Sequence, residues 1–446
     1  MKTKLLFVAI FISQLINAQE IDREQLKEEI KRELKLELLK GDSISKNEKE
    51  LNAFSKFQLK GYGAINYYNY DWDTDAEKRN ALDAERLNLY FNYLFNSKIT
   101  LKTELEIEHG GTGVSKDLDK LEEFGEYETE VEAGGEINLE QVYINFELRK
   151  NLNLKVGKFK VYFGLAQNLD EPDDYFTTHR PEMEDELIPL GWYETGLEIS
   201  GKFLKDNLLY RLAFVNGLDA TGFSSRGWIK NGHQNRFEMA NASNWAVALR
   251  LDYKIGNNKN SFVGVSGYFG NTADNRPKPD LKTDAYLSLI ESHITYNEGP
   301  LRFNSMFFFG NLQNSDIVTL RNKNLSNALG VKRTPVAKNA LGFSTEIGYD
   351  ILPLISPQTT QKLYPFARYE FYDSMYKTHP SVTDNPRWER SVITGGLNWI
   401  VYNGIIIKAQ YSSRKLGSKK IDNQGSLTNK NEFENTFSAG IGFVFN

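Results

Sequence analysis

The stretch ITLKTELEIE, residues 99–108, decides the fold class. Ile99, Leu101, Thr103, Leu105 and Ile107 fall on one side, and Thr100, Lys102, Glu104, Glu106 and Glu108 on the other. A period of two is the mark of a β-strand with one apolar and one polar face. Trp245, Val247, Leu249, Leu251, Tyr253 and Ile255 alternate in the same way with Ala246, Ala248, Arg250, Asp252 and Lys254. Leu87, Leu89, Phe91, Tyr93 and Phe95 do so with Arg86, Asn88, Tyr90, Asn92 and Leu94. A soluble sandwich would show the same alternation, so the pattern alone names no membrane.

Connection lengths discriminate. About sixteen strands are expected, at 57–70, 84–95, 98–109, 136–148, 152–162, 194–203, 207–216, 244–255, 261–269, 283–297, 301–311, 339–351, 362–373, 389–402, 404–414 and 433–446. Short turns, such as Asn96-Ser97, Lys150-Asn151 and Asn403, alternate with long segments such as 110–135, 163–193, 217–243 and 312–338. Short inner turns alternating with long outer loops is the layout of a transmembrane barrel. The segment from Leu352 to Gln361 is the exception, being long for an inner turn. Sixteen strands enclose a water-filled lumen, whereas eight fill with side chains. The long segment 163–193 is the natural candidate to fold inward and narrow it.

Composition agrees. The 446 residues are 13% aromatic at a mean hydropathy of -0.50. A barrel reconciles the two, because only alternate residues face lipid and aromatic girdles mark the interfaces. Net charge is -5, which gives no case for a nucleic-acid partner. With no cysteine, disulfides and thiolate chemistry are excluded.

Lys2 and Lys4, the apolar run Leu5 to Ile12, and Ile16-Asn17-Ala18 before Gln19 read as a cleavable export signal. No later stretch offers ~18 uncharged apolar residues for a spanning helix. Ile21, Leu26, Ile30, Leu34 and Leu38 recur at helical or near-helical spacing, and Gly41-Asp42-Ser43 ends the run. This segment is either a short periplasmic coiled coil or a solvated single helix. The expected division is a signal peptide at 1–18, a periplasmic helix and linker at 19–52, and an all-β, antiparallel outer-membrane barrel at 53–446. Phe437, Ala439, Ile441, Phe443 and Phe445 form one face of the last strand, an ending common among outer-membrane proteins; Asn446 follows it.

Several segments resemble the phosphate-selective porin O and P family. They are Leu154-Lys155-Val156-Gly157-Lys158-Phe159-Lys160 with Phe163-Gly164-Leu165, then Thr177-Thr178-His179-Arg180-Pro181 and Gly191-Trp192-Tyr193-Glu194-Thr195-Gly196. Tyr210 to Gly217, Pro365 to Glu370 and Gly395-Gly396-Leu397-Asn398-Trp399 continue the likeness. The resemblance implies a trimeric sixteen-stranded channel in the outer membrane; separately, the residues carry no enzyme or metal-site motif, so no enzymatic activity, cofactor or metal is expected. The resemblance also implies passage of small hydrophilic solutes, anions such as phosphate among them, selected by basic side chains in the lumen. The acidic run from Glu104 to Glu136 departs from that pattern. So does the third loop, with Glu171, Asp173, Asp174, Glu182, Glu184, Asp185 and Glu186. Rings of carboxylates favour cations, so a general or cation-preferring pore is the alternative. A barrel receptor with a plugged lumen is another.

Strand phase points Lys102, Lys155, Arg211, Arg250, Lys254, Arg302, Arg368 and Lys408 into the lumen, and Arg180 is expected near the constriction. Arginine offers bidentate hydrogen bonds to oxyanions. The bland alternative is that these cations pair with Glu104, Glu198, Glu291, Glu346 and Glu370. His109, His179, His233, His293 and His379 lack metal-ligand spacing. Gly61-Tyr62-Gly63 has no following helix to make a dinucleotide loop. Trp72, Trp228 and Trp388 are candidates either to stack on sugars or to anchor at the membrane interface.

Overall fold

The computed structural model describes residues 55–445, apart from 112–116, 119–128, 131–135, 166–169, 190, 233–239, 257–259, 326–332 and 422–426. The expected export signal, the expected helix and linker at 19–52 and most of the acidic run before Glu136 lie outside the described residues. Gln58–Asn446 forms one compact unit.

Sixteen antiparallel strands close into one barrel. They are β1 (Phe57–Trp72), β2 (Ala81–Asn96), β3 (Ile99–Glu108), β4 (Glu136–Arg149), β5 (Leu152–Lys160), β6 (Tyr193–Phe203), β7 (Leu208–Asn216) and β8 (Trp245–Lys254). There follow β9 (Phe262–Asn271), β10 (Tyr286–Glu298), β11 (Leu301–Leu312), β12 (Asn339–Tyr349), β13 (Lys362–Lys377), β14 (Glu389–Tyr402), β15 (Ile405–Leu416) and β16 (Phe433–Phe445). All sixteen expected strands are present. The largest difference is β13, which runs four residues further because Tyr372 and Met375 are buried under the outer loops. Two short ribbons stand outside the expected strands, Asp117–Leu118 with Thr129–Glu130 and Lys419–Ile421 with Leu427–Asn429. The connections also hold helices α1 (Glu182–Leu187), α2 (Ser315–Lys323) and α3 (Leu352–Ile355). The long inner turn is ordered by α3 and by Asp350, whose carboxylate accepts from the amides of Leu352 and Leu363.

Alternation sets the two faces. Ile65, Phe91, Leu197, Leu249, Val265, Ile290, Ile393 and Ile441 are exposed on the outer wall. Phe95, Phe203, Tyr253, Tyr349 and Tyr402, near the short turns, form an aromatic girdle. Among the described residues no helix is long and apolar enough to cross a membrane. The closed barrel leaves no strand edge unpaired, so the apolar wall can face lipid.

The closing seam joins β1 to β16, pairing Gly61 with Phe445 and Gly63 with Phe443. A Cβ on Gly61 would meet Phe445 Cζ at 2.6 Å. The aromatic face of the last strand thus covers two glycines of the first, a known means of pinning register.

Candidate functional site in the lumen

The segment from β5 to β6 folds into the barrel. Phe163, Tyr175, Phe176, Thr177, Thr178, Met183, Leu187 and Trp192 are at most 3% exposed. The loop binds the wall chiefly through its backbone. Arg250 Nη1 donates to Gly164 O at 2.7 Å, and Arg302 Nη2 to the carbonyls of Asp173 and Asp174. Lys408 Nζ donates to the carbonyls of Tyr175 and Thr177 at 2.9 and 2.7 Å. Asn398 reaches the Phe176 carbonyl, and Gln410 accepts from the Thr178 amide. Phe176 stacks on Phe366 at 5.4 Å and covers Gly348, where a Cβ would collide with its ring. In α1, the Met183 amide donates to Glu370 at 3.0 Å, and Glu182 takes Arg414 at 2.6 and 2.9 Å.

The loop also carries its own charge cluster. Asp170 meets Arg180 at 2.8 Å, Lys160 at 2.9 Å and Arg86 at 3.4 Å. Burial pushes its carboxyl up, but the three cations outweigh burial and hold it well below the usual carboxylate range. Burial, then Asp173 and Glu171, push Asp174 up to about 7.

The nine basic candidates therefore divide. Arg250, Arg302 and Lys408 hold loop carbonyls, and Arg250 also pairs with Asp252 at 2.8 Å. Arg368 is bound by Glu346, with Glu370 at 3.9 Å. Arg180 is buried against Asp170. Lys254 is half-buried beside the inner turn. Lys102, Lys155 and Arg211 form a separate group. Lys155 and Arg211 share Glu198 Oε1 at 2.9 and 3.4 Å. Both flank the Tyr162 ring, at 4.8 and 3.8 Å. Lys102 stands in the field of Lys155. Arg211 retains 23% exposure, and Lys102 is half-buried.

Nearer the outer ends of β3 and β4, Glu104, Glu106 and Glu140 are buried together at 0, 8 and 2% exposure. Glu104 accepts from Asn88 and Gln141. Loop anchors missed in the sequence are Arg86, Lys160, Asn398, Gln410 and Arg414. Their signal was there, since Arg86 stands on the polar face of β2 beside Asn88 and Asn92. Trp228 is corrected outright: it is wholly buried, donates to Ala337 O at 3.1 Å and lies edge-on to Phe308, so it offers no sugar platform. Trp388 is likewise buried.

Between the loop and the inner turns lies a cavity of about 630 Å³, lined by Asp173, Asp174, Arg302, Thr360 and Lys362. A separate pocket of about 20 Å³ lies between the loop and the wall of β11 to β13, beside Tyr175, Glu346 and Arg368, room for about one water.

No family model matches the chain. It is 28% identical over 365 residues, 81% of this chain and 76% of the relative, to a protein of Aquifex aeolicus (strain VF5) described as uncharacterized. Among solved structures it is similar to Salmonella typhi OmpF in complex with daunomycin, with TM-score 0.52 and 12% identity over 87% of this chain and 97% of that one. It is also similar to the anion-selective porin from Comamonas acidovorans, with TM-score 0.50 and 10% identity over 87% and 100%. The likeness is one of fold. With its closed sixteen-stranded wall and lipid-facing apolar belt, the chain is an outer-membrane β-barrel of porin architecture.

Proposed function

We propose that the chain is a porin, a water-filled channel for passive diffusion of small hydrophilic solutes, and that it prefers anions, phosphate among them. The observation that carries the preference is the group Lys102, Lys155 and Arg211. Lys155 and Arg211 share one carboxylate, Glu198, on the inner half of the wall, and Lys102 lies across from Tyr143, whose ring Lys155 overlies at 5.2 Å. The surplus positive charge stands in a low-dielectric wall, where a field acts more strongly than in water. Arg250, Arg302, Arg368, Lys408 and Arg180 fix the loop that sets the width. Assembly as a homotrimer is proposed on the family resemblance.

A second reading has its own support. The buried group Glu104, Glu106 and Glu140 lies toward the outer mouth, and Glu140 Oε2 has no hydrogen-bond partner among the described residues. If that group governs entry, the pore prefers cations. Planar-bilayer recording of the purified barrel separates these readings. Stepwise conductance that falls when phosphate is added supports the anion channel. Conductance untouched by phosphate leaves a general pore, and no conductance at all favours a plugged receptor.

A further inference from the structure

The outer rim carries a pocket with no part in the lumen. Its volume is about 540 Å³, between the tops of β9 to β11, the start of α2 and the loop around His379. Its floor is aromatic: Phe269 and Tyr286 stack at 5.2 Å with planes 7° apart. Phe269 is 52% exposed, on the lipid side of the wall. Asn311, Gln313, Ser315, Asp316 and Lys338 line the polar side. Ser315 is 2% exposed, and its Oγ has no hydrogen-bond partner among the described residues. Buried polar atoms are nearly always partnered, so this hydroxyl marks a place for a ligand's polar group.

The lining suits a sugar. An aromatic surface accepts the apolar face of a pyranose ring, and amides, a hydroxyl and a carboxylate match its hydroxyls. Asp316 stands against a bare phosphate as the main ligand. What lies below the pocket identifies the source of the sugar. Gly267, Ile290 and Phe309 form the next row down the wall, then Val265, Ser292 and Phe307. Gly267 presents no side chain between Val265 and Phe269, which leaves a shallow channel in the apolar belt. A ligand with sugar above and acyl chains below fits both parts. We propose that this pocket binds the sugar headgroup of a glycolipid of the outer leaflet, its chains lying on the wall below.

The test measures binding of rough-type lipopolysaccharide to the purified full-length barrel in detergent, beside Tyr286→Ala, Asp316→Ala and Ser315→Ala. Ser315→Ala removes an unpartnered hydroxyl and leaves folding intact, so its loss of affinity reports the site. Heat-modifiable gel mobility verifies folding of the other two. Each variant is expected to bind at least about tenfold more weakly, with Ile393→Ala, elsewhere on the belt, unchanged. The delipidated core oligosaccharide is expected to compete, but more weakly than the intact lipid. Three results would overturn the proposal. They are unchanged binding by all three variants, equal binding of phosphatidylglycerol, and oligosaccharide binding as tight as that of the intact lipid.

Discussion

Lys408, on β15, places its ammonium 2.7 Å from the backbone carbonyl of Thr177, in the loop that β5 sends into the lumen. A second bond reaches Tyr175 O at 2.9 Å, and the Tyr175 ring lies 3.9 Å from the same nitrogen. One wall lysine thus satisfies two buried carbonyls. Lys408→Met leaves the Thr177 carbonyl unpaired, at a cost of about 1–3 kcal/mol, and leaves the Tyr175 carbonyl only the longer bond from Asn398 at 3.4 Å. The expected outcome is a looser loop and a larger, noisier single-channel conductance. Unchanged conductance would mean that Asn398 and Gln410 hold the loop without it.

Asp170 is the second hinge of this arrangement. Asp170→Asn removes the one carboxylate shared by Arg180, Lys160 and Arg86. Breaking a buried ion pair costs about 3–5 kcal/mol. The variant should lose its heat-resistant gel band at lower temperature than the parent barrel. Its reversal potential should move toward anions, because three cations lose their counter-charge.

Asp174 supplies a pH dependence. Its folded value, about 7, lies above the ordinary aspartate value, so the folded state holds the proton longer than the unfolded chain. Stability from this group is therefore greatest below the ordinary aspartate range and falls as pH rises toward 7. In the folded barrel the cavity near the inner turns gains negative charge as pH passes through about 7. Anion preference should weaken between about pH 6 and 8, and Asp174→Asn should flatten that slope. A slope of the same size in Asp174→Asn would assign the titration to another group.

At the closing seam, Phe445→Ala uncovers Gly61. A cross-strand pair of this kind contributes about 0.2–1 kcal/mol, so the denaturation midpoint should fall slightly. Gly61→Val should cost more, since its side chain would run into Asn88 O, 2.5 Å from the Cβ position.

The strands were legible because each carries its own evidence: alternation in ITLKTELEIE is a local property of ten residues. The inward fold of the third loop was legible only as an inference from length. Its docking depends on partners more than two hundred residues away, as between Thr177 and Lys408. A hint lay in Ala340, Gly342 and Ser344, a run of small residues on the polar side of β12. Glycine in a strand often marks close approach by another segment, and Met183 and Phe176 approach Gly342 and Gly348. Period two also gave the face of each basic residue without its partner. Arg250 and Arg211 face each other across β7 and β8, yet one is buried against Asp252 and Gly164 while the other keeps contact with the lumen. Trp228 was misread because an outer-loop tryptophan looks the same in sequence whether it caps a core or faces water.

The central claim is that surplus positive charge beside Glu198 sets the ion preference. The most direct test is the reversal potential of the barrel under a KCl gradient, compared with Lys102→Gln/Arg211→Gln. The prediction is an anion-directed potential in the parent barrel that falls toward zero or changes sign in the double variant, with single-channel conductance retained. A cation-directed potential in the parent barrel, or an anion-directed one that the double variant leaves unchanged, would contradict it.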